Sequence, residues 1–250
     1  MTPTITTEDI TPLDHQEAMR LAAVEYDRLL ALAHDLRAAD WPRPTDCTGW
    51  DVRAVLGHVL GMFELEADPE ERARQIKAAA EAATRTGGLR IDALTALQVR
   101  EHAHLGPDEL KRALNQAAPA GLAGRRATTA EQRAAAFSPG LPGEGPWPFG
   151  YLFDVIRTRD PWMHRIDICR ATGRQPVLAA GHDGRILADV VADWARRHCQ
   201  LFTLTLTGPA GGSFRAGDSG PEFELDAVEF ARILSGREPA SGLLATAVPF

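Results

Sequence analysis

The stretch "RTRDPWMHRIDICRATGR", residues 157–174, carries Asp160 and His164 four positions apart in a run whose apolar residues recur at helical spacing. Residues four apart on a helix stand one above the other, their Cβ atoms about 5–6 Å apart. From there an imidazole and a carboxylate can both reach one cation at about 2.0–2.2 Å. Asp167, three residues beyond His164, is placed to accept that histidine's second ring N–H. Such a pair is more often an exposed i, i+4 ion pair, so on its own the motif is weak.

His58 strengthens it. In "TGWDVRAVLGHVLGMF" the apolar positions 52, 55, 56, 59, 60, 62 and 63 spread around the helix and leave His58 among buried neighbours. A buried imidazole needs a partner for each ring nitrogen, which a satisfied core histidine or a metal ligand would both have. Taken with Asp160 and His164, it completes three N/O ligands with an open fourth position, the ligand count of a catalytic zinc site. A cation there would compensate the desolvation of Asp160, which is otherwise very costly. Pro161, inside the same helix, removes a donor from the Arg157 carbonyl and should kink the chain beside the ligands. Whether that kink shapes an open metal position or only improves packing is left open by the residues.

The elements that would position these residues are mostly helical. Residues 1–12 read as a flexible tail. Leu13 to Ala39 has amphipathic spacing, and "DWPRPTDCTGW" then breaks the helix with two prolines. Thr48 reads as the N-cap of a second helix, with Asp51 as its capping-box-like partner, running from Gly49 to about Ala67. Residues 69–136, rich in Ala, Arg, Glu and Leu, predict two to four more helices punctuated by "RTGG", "LGP" and "APAGLAG". "FSPGLPGEGPWPFG" is a Pro/Gly loop, long for a bundle, and Gly173 is a plausible C-cap for the helix after it. Beyond it come one helix, the alternating strand "LFTLTLTG", further strand-like segments "GSFRAG" and "PEFELDA", and a closing helix that stops at Gly236. The expected class is α+β: a helical bundle over 13–176 followed by a small α/β domain over 177–250.

The chain has 250 residues, 44% hydrophobic and 24% charged, ordinary for a globular protein with a sizeable core. A net charge of −7, with no Lys/Arg stripe, argues against nucleic acid. No apolar run reaches the roughly 18–20 residues of a membrane span, and the polar N-terminus is not a signal peptide. Cys47, Cys169 and Cys199 are scattered, without CxxC pairing, so no disulfide framework or thiolate zinc cluster is suggested. A cytoplasmic protein is the expectation.

"PTDCTGWDVRAVLGHVLG" together with "RTRDPWMHRIDICRATG" resembles the mycothiol-dependent maleylpyruvate isomerase family of actinobacteria, related to the DinB-like metal-binding bundles. "FELDAVEFARILSGR" resembles the end of that family's C-terminal module. The resemblance spans nearly the whole chain. It implies a DinB-like four-helix bundle that binds a divalent metal, usually zinc, through His58, Asp160 and His164. The isomerase looks to have Glu where this chain has Asp160, one methylene shorter. The resemblance further implies mycothiol as a cosubstrate thiol. That thiol either adds to an activated alkene, allowing cis–trans isomerisation, or is transferred to a small electrophile. Arg237, in "LSGR", is the candidate catalytic residue for an acidic substrate, with a plain charge at a helix C-terminus as the alternative.

His102 and His104 lie two apart, share no helix face and are expected at the surface. Trp50 and Trp162 are expected in the core. Cys47 is a possible resident thiol with no base nearby in sequence. The competing function is a non-catalytic metal-binding protein whose C-terminal module, sterol-carrier-like in outline, binds an apolar ligand or a partner; a bundle that has lost its metal is a third. The expected partners are a small thiol and an electrophile, on a monomer or homodimer.

Overall fold

The computed structural model of the chain describes residues 3–250. It divides into two compact units, residues 15–174 and residues 3–14 with 175–250. The fold is α+β, as the residue patterns predict.

In the first unit, α1 (His15–Asp35), α2 (Val52–Ala67), α5 (Pro107–Arg126) and α7 (Arg157–Thr172) pack about one core. Tyr26, Leu29, Leu56, Leu60, Phe63, Leu110 and Leu114 fill it. Each such side chain, fully buried, contributes about 1.5–3 kcal/mol from loss of apolar surface to water. α2 is apolar on nearly every side, so it must be covered all round. The pair α3 (Pro69–Thr86) and α4 (Arg90–His102) supplies that cover. α6 (Ala130–Ala134) precedes the Pro/Gly loop, whose ends are joined by two short strands, β2 (Ala136–Phe137) and β3 (Trp147–Pro148), in antiparallel register.

Local details depart from the expectations for physical reasons. Asp51, not Thr48, caps α2: its carboxylate accepts from the Ala54 N–H at 2.8 Å. Gly49 stands at φ +80° and turns the chain before the helix can start, so the helix begins at Val52. "APAGLAG" does not end a helix but lies inside α5. Its glycines serve packing, since a Cβ on Gly124 would stand 2.0 Å from the Glu66 carbonyl of α2. Gly173, at φ +69°, does cap α7.

In the second unit, β1 (Thr4–Thr6), β4 (Phe202–Thr207), β5 (Gly212–Ala216) and β6 (Glu222–Asp226) form a sheet in the order β1-β5-β4-β6. Thr4–Thr6, expected in the flexible tail, pairs parallel with β5, Ile5 opposite Phe214. Residues 1 and 2 of that expected tail lie outside the described residues. β4 turns Phe202, Leu204 and Leu206 inward by its alternation. α8 (Arg185–His198) and α9 (Ala227–Leu234) cover the inner face, where the Trp194 ring lies 4.7 Å from Phe202 and 5.4 Å from Phe230. Among the described residues, no helix is long and apolar enough to cross a membrane.

Candidate metal centre

The break that Pro161 makes in α7 is filled from another helix. Pro161 has no N–H for the Arg157 carbonyl, and Arg125 of α5 donates to it from Nη1 at 2.9 Å. The same Nη1 donates to the Tyr26 hydroxyl at 2.8 Å, and Nη2 donates to Thr158 Oγ1 at 2.8 Å. Tyr26 donates in turn to Glu66 Oε2 at 2.7 Å. This buried network joins α1, α2, α5 and α7 at the level where α7 begins. Tyr151–Ile156, immediately before α7, forms a π-helical turn, a wider coil common next to functional sites.

The predicted trio converges at the α2–α7 contact. His58 and His164 are buried and face each other edge-on, their ring centroids 5.0 Å apart. Nε2 of each lies 3.5 Å from Asp160 Oδ1. Those separations match the edge of a tetrahedron whose ligands stand about 2.0–2.1 Å from zinc, about 3.3–3.4 Å.

The outer ring nitrogens say what the inner ones offer. His58 Nδ1 lies 2.7 Å from Gln98 Oε1, and His164 Nδ1 lies 3.1 Å from Asp167 Oδ2. Both partners are acceptors, so both Nδ1 atoms carry protons and the Nε2 lone pairs aim at a carboxylate. Three acceptors turned on one another need a cation between them or a shared proton. Asp160 Oδ2, buried and without a hydrogen-bond partner among the described residues, fits the same demand. Two imidazoles and a carboxylate are a donor set suited to zinc.

The electrostatics follow. Burial pushes His58 below the ordinary imidazole range, and Asp160 offsets this only in part. Burial also opposes charge on His164, but Asp160 and then Asp167 lift it well above that range. Asp160, which burial would raise, is held well below the usual carboxylate range by the two imidazoles. His164 thus holds a proton more tightly than an ordinary imidazole does, and a metal entering this trio would compete with it.

The loop before α2 closes over the trio. The Trp50 N–H donates to the Cys47 carbonyl at 2.9 Å, and Thr45 Oγ1 to the Trp50 carbonyl at 2.9 Å. This turn lays the Trp50 ring 5.3 Å from His58 and 6.3 Å from His164. It also sets Cys47 Sγ 3.3 Å from Asp167 Oδ2 and 3.8 Å from His164 Nδ1.

Residues 22–169 match the model of the mycothiol maleylpyruvate isomerase N-terminal domain, a span that includes every residue of the trio. The chain belongs to the mycothiol maleylpyruvate isomerase family. Its fold is that of a crystal structure of the mycothiol-dependent maleylpyruvate isomerase, with a TM-score of 0.57 at 16% identity over 94% of this chain and 93% of that one. A histidine-to-alanine mutant of that enzyme gives a TM-score of 0.55 at 15% identity, with the same coverage of both chains. No curated protein matches.

Within this member of the family, several residues stand where their local sequence did not put them. Trp50, expected in the core, is half-buried against both histidines, whereas Trp162 is fully buried as expected. Cys47, without a base nearby in sequence, has Asp167 and His164 beside it. His102, expected at the surface, is buried, with Nδ1 2.8 Å from the Gln98 carbonyl and Nε2 3.1 Å from Glu64 Oε2. Burial would lower its pKa, but Glu64 outweighs this and raises it. His104 is exposed as expected. Gln75 and Gln98, both buried, escaped the sequence reading; the signal was the spacing of Gly57 and Gly61 on α2, which admits a neighbouring helix closely. Arg237 lies in the second unit, half-buried after the Gly236 turn, its N–H on the Arg232 carbonyl at 2.9 Å.

Proposed function

We propose that the helical unit of this family member holds one divalent cation, zinc by donor preference, through His58, Asp160 and His164. On this reading the chain is a mycothiol-dependent enzyme acting on a small electrophile. The convergence of two Nε2 lone pairs and one carboxylate, with Asp160 Oδ2 left without a hydrogen-bond partner among the described residues, carries the reading. When bound, the cation would lower the pKa of an incoming thiol, so that the nucleophilic thiolate is available near neutral pH.

The chain's own residues perform the rest. Asp160 brings the one formal negative charge among the three ligands. Asp167, accepting from His164 Nδ1, fixes that ring's orientation and strengthens its Nε2 as a donor. Trp50 covers both imidazoles on the loop side and limits water there. Arg237 is proposed to meet an acidic group of the electrophile, for which kcat/KM of Arg237→Ala is the test. Isomerisation and S-transfer differ in the electrophile: an activated alkene releases the thiol after rotation, whereas an electrophile that forms a stable adduct keeps it.

The test is elemental analysis of the purified protein beside His164→Ala, followed by turnover of activated alkenes with and without mycothiol. About one zinc per chain in the wild type, lost in the variant, with thiol-dependent turnover, is the expected result. No metal in the wild type after incubation with zinc would overturn the metal reading. Metal retained without thiol-dependent turnover would favour a non-catalytic metal-binding protein.

A further inference from the structure

We infer that Gln98, itself held by Gln75, is the positioning residue that selects the tautomer of His58 and so turns its Nε2 lone pair toward Asp160. The inference starts at the far end of a buried chain of amides. Gln75 Nε2 donates to the Gly61 carbonyl at 3.1 Å and to Glu71 Oε1 at 2.8 Å. Both partners only accept, so the orientation of the Gln75 amide is determined and its Oε1 must point the other way. Gln98 Nε2 donates to that Oε1 at 2.9 Å. The Gln98 amide is thereby oriented too, and its Oε1 faces His58 Nδ1 at 2.7 Å. An amide oxygen cannot donate, so Nδ1 carries the proton.

The alternative tautomer is available and useless. Asp160 Oδ1 lies 3.5 Å from His58 Nε2 and would readily accept a proton placed there. That proton would occupy the lone pair a metal needs. The relay sets a directed chain of acceptors on α3, α4 and α2 against this outcome, with both glutamines fully buried so that water does not reverse it. The backbone is shaped for it as well. A Cβ on Gly61 would stand 2.6 Å from Gln98 Cγ, so α4 can bring Gln98 over His58 only because α2 has glycine there.

The affinity part of the test rests on the proposed metal, and the tautomer part does not. In metal-free, 15N-labelled protein at mildly alkaline pH, two-bond ring correlations report which nitrogen of His58 is protonated. The wild type is expected to show Nδ1–H. Gln98→Leu should move the proton to Nε2 and weaken zinc, measured against a chromophoric chelator, by about 10–100-fold. Gln98→Glu, which still presents an acceptor oxygen, should keep Nδ1–H and bind within a few-fold of wild type. Gln75→Leu, which leaves Gln98 in place but frees its amide, should lose part of both effects; it carries the test if Gln98→Leu does not fold. An Nε2–H proton in the wild type would overturn the inference, as would zinc affinity unchanged in Gln98→Leu. A wild type that shows Nδ1–H yet takes no zinc would overturn the metal reading and leave the tautomer assignment standing.

Discussion

Removing Arg125 tests how the bundle tolerates a proline at the base of its ligand helix. Arg125→Met keeps much of the side-chain volume but deletes three hydrogen bonds, to the Tyr26 hydroxyl, the Arg157 carbonyl and Thr158 Oγ1. The Arg157 carbonyl then has neither the helical N–H that Pro161 lacks nor a replacement. Glu66, buried two turns beyond His58 on α2 and linked to Arg125 through the Tyr26 hydroxyl, loses a balancing charge, and its pKa is already raised by burial. Each buried acceptor left without its donor costs about 1–3 kcal/mol, and a loss of at least that size is expected in urea unfolding. The pH dependence has a definite sign. A carboxyl whose folded pKa is raised carries no penalty where both states are protonated. The penalty grows as pH rises from the unfolded value, about 4.3, toward the folded one. The deficit of Arg125→Met should therefore be larger at neutral pH than in acid. Glu66→Gln in the Arg125→Met background should recover part of the loss, giving a double-mutant coupling above about 1 kcal/mol. Additive single effects, or a deficit that does not change with pH, would refute the coupling.

Two further outcomes concern the fold. Gly124→Ala should destabilise by about 1–3 kcal/mol in chemical denaturation, although Ala is the better helix former by about 1 kcal/mol, because the methyl has no room beside the Glu66 carbonyl. Stability equal to wild type would show that α2 and α5 do not approach so closely. Asp40 is held below the usual carboxylate range by the Arg37 N–H and then by Arg174, so its contribution is present above the unfolded pKa of about 3.9 and lost as pH falls through the folded value. Asp40→Asn should thus cost stability at neutral pH and little in strong acid; urea midpoints that differ equally at both would contradict this.

Short-range spacing alone determined much of this protein. Four residues make just over one helical turn, so Asp160 and His164 had to share a face wherever α7 packed. The apolar positions around His58 had to bury it, and the alternation of β4 had to turn Phe202, Leu204 and Leu206 to one side. Only the tertiary structure decided what those faces meet. His58 finds Gln98 across 40 residues and Cys47 finds Asp167 across 120, through approaches between helices and loops that no local pattern encodes. The glycines of "APAGLAG" read as a helix end because glycine is a weak helix former, yet close contact with α2 outweighs about 1 kcal/mol of propensity per residue. Thr4–Thr6 read as a tail because three residues carry no periodicity, and they become a strand only because β5 offers its edge. The gap left by Pro161 could be foreseen from residue 161 itself. That a guanidinium from α5 would fill it is a property of the assembled bundle, where a buried carbonyl must find a donor and Arg125 supplies one.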